Sequence, residues 1–242
     1  MKILALDSSG LVAAVAILID DCLAAEYTTN FKKTHSQTLL PMLDEVVQMT
    51  GLELSEMDAI AVAAGPGSFT GLRIGSATAK GLGLALDKPI IGVPTVDALA
   101  YNLYGTNDLI CPIMDARRNQ VYTGLYTFEK GQFTILSEQQ ATKIDQIIEV
   151  IRERMAEQPT YSKVIFLGDG VEVHSEKIRE SLGDSAFFAP AHLSKQRAGA
   201  VAVLAGQYYK KGRMVDAREH EPVYLRLSQA ERELKEKMAK QS

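Results

Sequence analysis

The chain has almost no sulfur chemistry available to it. Its 242 residues include two cysteines, Cys22 and Cys111, and neither belongs to a C-x-x-C pair. That excludes a disulfide framework and points to a reducing cytoplasm. Histidine is equally sparse. His35, His174, His192 and His220 are too scattered to form an H-x-x-x-H pair, so no helical metal site is written here. There is no excess of positive charge: the formal net charge is -4, where a freestanding nucleic-acid binder would carry a basic face. No apolar run approaches the roughly 20 residues of a membrane span, and the start, MKILALDSSG, is too short for a signal core. Two catalytic motifs are also missing. Without G-x-x-x-x-G-K-[ST] there is no P-loop chemistry, and without G-x-S-x-G there is no nucleophile elbow. Ser68 therefore reads as a helix cap.

What is abundant is glycine in an unusual place. Residues 59–86, AIAVAAGPGSFTGLRIGSATAKGLGLAL, form an apolar strand, a glycine-rich turn and a helix of small residues. Gly71, Gly75, Ala79 and Gly83 recur every fourth position and share one helical face. Glycine inside a helix costs about 1 kcal/mol relative to alanine, so Gly75, Gly81 and Gly83 together cost about 3 kcal/mol. Close contact must recover that cost. Packing inside the same domain would do so, and so would a partner protein whose helices approach the bare stripe. The second reading predicts that Gly75→Leu folds but loses the partner.

Hydrophobic periodicity shows one order of elements used twice. Apolar runs at 3–6, 12–18 and 23–28 read as strands, followed by an amphipathic helix over 36–49 with Leu39, Leu43 and Val46 in one stripe. A strand over 59–63, the small-residue helix, a strand over 90–93 and a helix from about 96 complete the half. The second half repeats this with strands at 109–114, 121–126 and 133–136, and a helix bearing Ile144, Ile147, Ile148 and Ile151. A strand over 164–167, a helix, a short strand through Phe187 and Phe188, and a helix over 195–211 follow. Each half reads β-β-β-α-β-α-β-α, an α/β fold of two mixed sheets with crossover helices. The expected division is a first lobe over 1–104, a second over 105–227 and a charged tail over 228–242. The duplicated plan resembles the superfamily of actin, the heat-shock ATPases and the sugar kinases. Asp7 and Asp115 each end the first strand of a half, where that resemblance places a nucleotide-binding acid.

Four motifs make the resemblance specific: ALDSS at 5–9, GPGSFTGLRIG at 65–75, MDARRNQVY at 114–122 and EPVYLR at 221–226. Together, in this order, they resemble the TsaB (YeaZ) family, the dimerisation subunit of bacterial tRNA threonylcarbamoyladenosine synthesis. The resemblance implies an actin-like, non-catalytic protein that pairs with the transferase TsaD and works alongside the ATPase TsaE. It also implies self-pairing when the chain is alone, and tRNA contact only through the complex. The catalytic paralogue carries two metal-binding histidines, and aligned on the GPG turn their positions fall on Thr95 and Leu99. Leucine cannot ligate a metal, and threonine does not do so as imidazole does. The implied chain therefore leaves the transfer chemistry to its partner and holds no cofactor of its own, with room for ATP or ADP at the shared interface.

The expected partner surface comprises His35, Leu39, Leu43 and Val46 on the first helix, and Gly71, Arg73, Gly75, Ala79 and Leu82 on the second. Asp7, Gly67, Asp115 and Arg117 are the candidate phosphate contacts. Asp7 and Asp115 read equally well as turn residues bonding nearby amides, and that reading is preferred. The rival function is a small-molecule phosphotransferase of the kinase type using these two acids. A nicotinamide dinucleotide role is disfavoured, because Asp87 lies before the next strand rather than at its end.

Overall fold

The computed structural model describes residues 1–31 and 34–226, so the expected tail over 228–242 lies outside them. The first half runs β1 (Lys2–Asp7), β2 (Ala13–Ile19), β3 (Cys22–Thr29), α1 (His35–Thr50), β4 (Ala59–Gly65), α2 (Phe69–Leu86), β5 (Ile90–Pro94) and α3 (Thr95–Tyr101). The second runs β6 (Leu109–Asp115), β7 (Gln120–Glu129), β8 (Gln132–Lys143), α4 (Ile144–Glu157), β9 (Val164–Leu167), α5 (Gly170–Leu182), β10 (Ala186–Phe188) and α6 (Ala198–Lys210). Among the described residues the order is the expected one in both halves. The sheets match as well: β3-β2-β1-β4-β5 in the first and β8-β7-β6-β9-β10 in the second. Within each sheet the first three strands are antiparallel and the crossover strands parallel. This is the two-lobed, actin-like α/β fold.

Local chemistry sets the boundaries. Asp20 takes the left-handed conformation at the β2–β3 hairpin, and Gly51 does so after α1, where its N–H bonds Val47 O at 3.0 Å. Ser68 caps α2 through a bond from Gly71 N to its Oγ at 3.3 Å. The third strand of the second half is longer than its apolar core suggests: β8 continues to Lys143, because ladder pairing with β7 is maintained through polar residues.

The sheets separate at the expected joint, but the helices do not. α1 and α2 lie side by side on one face of the first sheet, over Leu4, Leu6, Val15 and Ile60. Its other face is covered by α6, which belongs to the second half of the sequence. In exchange, α3 places Val96, Leu99 and Ala100 against Ile110, Met114 and Leu167 of the second sheet. The outer face of that sheet is covered by α4 and α5. α3 and α6 meet between the lobes.

A buried acid sits at this joint. Asp97 of α3 is 4% exposed and accepts a hydrogen bond from Tyr126 Oη at 2.8 Å. Burial pushes its carboxyl up to about 6, opposed by the Tyr126 hydroxyl, reinforced by Glu138 and eased by Arg213. The folded state thus binds the proton more tightly than the unfolded chain does. Stability falls as pH rises from about 4 to about 6 and stays reduced above that. Asp97→Asn keeps an acceptor for Tyr126 and removes the charge. In denaturant titrations it should match the native chain near pH 4 and exceed it by up to about 3 kcal/mol at pH 7.5. An equal difference at both pH values would contradict this account.

Candidate functional site: the outer helix face and the interlobe cleft

The glycine-rich turn at the start of α2 is shaped by contacts within the molecule. Gly65 has φ +120°, and a side chain there would collide with the carbonyl of Val223. A Cβ on Gly67 would collide with Ser9 O, and one on Gly71 with Ser8 O. Ser68 N donates to Ser9 O at 2.7 Å, and Ser8 Oγ donates to Gly71 O at 2.9 Å. One turn later, a Cβ on Gly75 would stand 2.6 Å from Ser8 Oγ, and one on Gly83 would stand 2.8 Å from Ala217 Cβ. Ala79 is fully buried in the same core.

This corrects the expected partner surface. Gly71, Gly75 and Ala79 face β1 and β4 of their own sheet, and the backbone approach they permit is intramolecular. Leu39, Leu43 and Val46 are 1%, 6% and 4% exposed and belong to the same core. The stripe on α1 is simply the face that folds inward. Leu82 is partly buried against that core. His35 is half-buried at the start of α1, where Nε2 donates to Gly10 O at 2.8 Å and holds the β1–β2 turn. Of the nine expected interface residues, Arg73 alone is exposed. Its guanidinium stacks on Phe69, 4.0 Å from the ring centroid, and its Nε donates to Tyr224 Oη at 3.3 Å.

A different set of residues faces outward. On α1 these include Leu40, Asp44, Glu45 and Met49; on α2, Arg73, Ala77, Gly81, Leu84 and Ala85. Leu40, Met49 and Leu84 are large apolar side chains at 53%, 79% and 52% exposure. Nothing lies within 4 Å of where a Cβ on Gly81 would be. The outer faces of two adjacent helices thus carry exposed apolar side chains, with Gly81 open one turn before Leu84 on α2. Periodicity pointed to the opposite faces because an inward stripe and a docking stripe share the same spacing.

Between the lobes lies a cleft of about 630 Å³. It is lined by the 66–70 turn and Ser9–Gly10 from the first lobe, by Asp115, Arg117 and Asp169 from the second, and by Tyr224 and Arg226. Gly67, Asp115 and Arg117 therefore come together as expected. Asp7 does not: it is 1% exposed and lies behind the turn, not among the cleft-lining residues. Its Oδ1 accepts from Ser9 N at 2.8 Å and from Ser9 Oγ at 2.6 Å, while burial holds its carboxyl above the ordinary value. Asp115 makes the equivalent bond, accepting from Arg117 N at 2.8 Å. Both acids are thus turn residues that bond the amide two positions on. Asp169, whose carboxyl burial also raises, accepts from Asp115 N at 3.0 Å. Neither it nor Arg226 was singled out from the sequence, where Asp169 lies within Gly168-Asp169-Gly170 after β9 and Arg226 ends the EPVYLR motif.

Known proteins resemble the chain over most of its length. Over 231 residues the chain is 36% identical to the tRNA threonylcarbamoyladenosine biosynthesis protein TsaB of Bacillus subtilis, covering 96% of each. The Escherichia coli protein of that name is 31% identical over 231 residues, covering 93% and 95%. The chain belongs to the TsaB (YeaZ) family. The solved structure of YeaZ from Pseudomonas aeruginosa superposes on this TsaB-family chain with a TM-score of 0.75 at 28% identity, covering 93% and 99%. The family model described as TsaD, tRNA N6-adenosine threonylcarbamoyltransferase, also matches residues 23–234, so TsaB and TsaD sequences are kin.

In this TsaB-family chain, Thr95 and Leu99, the two positions that the resemblance set against the paralogue's histidines, are committed to the interior. Thr95 is fully buried and its Oγ accepts from Gly65 N at 3.1 Å. Leu99 is 1% exposed among Val96, Ile110 and Met114. Among the described residues no group of three or more histidine, cysteine or acidic side chains could hold a metal ion, and no helix is long and apolar enough to cross a membrane.

Proposed function

We propose that the chain acts in tRNA threonylcarbamoyladenosine synthesis as a non-catalytic cytoplasmic subunit that binds and activates TsaD. The observation that carries this reading is the exposed face of α1 and α2. Leu40 and Met49 on α1 and Leu84 on α2 are exposed, and Gly81 lies open one turn before Leu84, on a chain that belongs to the TsaB family. Exposed apolar groups of this size on two adjacent helices favour a protein partner. TsaD's equivalent helices would complete a four-helix contact, and the same face would let two copies pair by two-fold symmetry when TsaD is absent. TsaE joins the larger complex, and tRNA is engaged only through it. No cofactor is assigned to the chain alone; the place for ATP or ADP is the shared interface. The phosphotransferase alternative loses its first acid, because Asp7 is enclosed and bonded to Ser9.

The test is reconstitution. The purified chain mixed with TsaD should elute as a one-to-one complex. TsaD, with TsaE and the threonylcarbamoyl donor, should modify tRNA efficiently only when this chain is present. The chain alone should neither modify tRNA nor turn over ATP with a small-molecule acceptor. Full transfer without the chain, or ATP turnover by the chain alone, would overturn the proposal.

A further inference from the structure

The segment after α6 does not simply trail from the fold. Residues 211–226 run back along the first lobe and then cross to the second. Val215 bonds both ways with Ile90, N to O at 2.9 Å in each direction, as an extra rung on the edge of β5. Ala217 is buried against Gly83 of α2. Lys80 Nζ donates to the carbonyls of Arg218 and His220, each at 3.0 Å, and the His220 ring is buried against Gly92. Val223 N then donates to Ala64 O at 2.7 Å, and the Val223 carbonyl occupies the space that Gly65 leaves bare. The Tyr224 ring packs on Phe69, with centroids 4.7 Å apart, and its hydroxyl meets Arg73. Finally Arg226 Nη1 donates to the carbonyl of Ala116, with Arg117 O at 3.5 Å, both in the β6–β7 turn of the second lobe.

We propose that this strap is an interlobe lock: residues 215–224 are anchored on the first lobe, and Arg226, which lines the cleft, pins the second lobe. The two lobes are already joined through α3 and α6. A second tie at the cleft removes the freedom that one joint would leave. For the cleft to widen, Ala116 and Arg117 must move away from Gly67, and the Arg226 bonds must break. The β6–β7 turn is suited to a fixed position, since Arg117, Arg118 and Asn119 all have φ between 56° and 61°. Residues other than glycine hold such a run only when their surroundings impose it. The guanidinium offers several donors to two adjacent carbonyls, a match that a lysine ammonium makes less well. This inference is independent of the partner proposed above.

The experiment uses the full chain carrying Cys22→Ser, with spin labels on Ser36→Cys in α1 and Val173→Cys in α5, diluted into excess unlabelled chain. The native strap should give one narrow distance distribution. Arg226→Ala, and more so Arg226→Ala with Tyr224→Ala, should broaden it and shift it to longer distance. In the same variants, amide exchange at Ala116 and Gln120 should accelerate about tenfold, as expected for loss of a charge-assisted bond. Tyr224→Phe, which keeps the ring, guards against a result due to misfolding and should leave the distribution narrow. Faster exchange with an unchanged distance distribution would mean that Arg226 only caps the turn, and the lock would be refuted. A distribution already broad in the native chain would refute it as well.

Discussion

Gly75→Leu should not accumulate as a stable folded protein. Its Cβ alone would stand 2.6 Å from Ser8 Oγ and 3.4 Å from Val62 Cγ2, and three more carbons would have to enter the same space. Ser8 cannot give way cheaply, because its buried hydroxyl is bonded to Gly71 O at 2.9 Å. Overpacking a tight core usually costs about 1–3 kcal/mol, and here a displaced helix and a broken buried hydrogen bond add to it, for a total of at least about 4 kcal/mol. With total stabilities of about 5–15 kcal/mol, most of the margin disappears. Urea denaturation followed by circular dichroism should show either a midpoint far below native or no cooperative transition. A native midpoint with loss only of the partner would restore the reading in which this stripe is a docking surface.

Gly81→Leu should behave in the opposite way. Gly81 lies on the same helix, but nothing is within 4 Å of its missing side chain. Replacing an exposed helical glycine improves helix propensity, so stability should rise by about 0.5–1 kcal/mol. Binding should suffer instead. A leucine here projects from the outer face of α2, one turn before Leu84, and holds any facing helix away. Affinity for TsaD should fall by about 100-fold, as for disruption at the centre of an interface. Calorimetric titration measures this directly. Unchanged affinity with raised stability would mean that the partner docks elsewhere. The two glycine variants thus separate packing from docking within six residues of one helix.

The contrast also shows which parts of the molecule the sequence makes legible. Periodicities of two and 3.6 found the strands and helices of both halves, because those signals are local. The inward face of α1 was equally plain in Leu39, Leu43 and Val46. Its meaning was not, since a stripe that packs on a sheet and one that packs on another protein look alike. The glycines show the same limit more sharply. What they make room for is Ser8, Val223 and Ala217, which are remote in the chain and brought close only by the fold. Helix α2 is small on more than one face, so a four-residue repeat could be found on either side. Asp7 was placed correctly at the end of β1, but its burial depends on the 65–71 turn folding over it. The exchange of α3 and α6 between lobes followed from no local feature. The EPVYLR motif was visible as a string; its role as a tie across the cleft required coordinates.

The outer face of α1 and α2 is the central claim, and photocrosslinking tests it most directly. A photoreactive phenylalanine analogue would be placed in turn at Leu40, Ala77 and Leu84, and as a control at Val173, an exposed position on α5 of the second lobe. Mixed with TsaD and irradiated, the first three should yield covalent heterodimers and the fourth should not. Crosslinks from Val173 with none from Leu40, Ala77 or Leu84 would contradict the account.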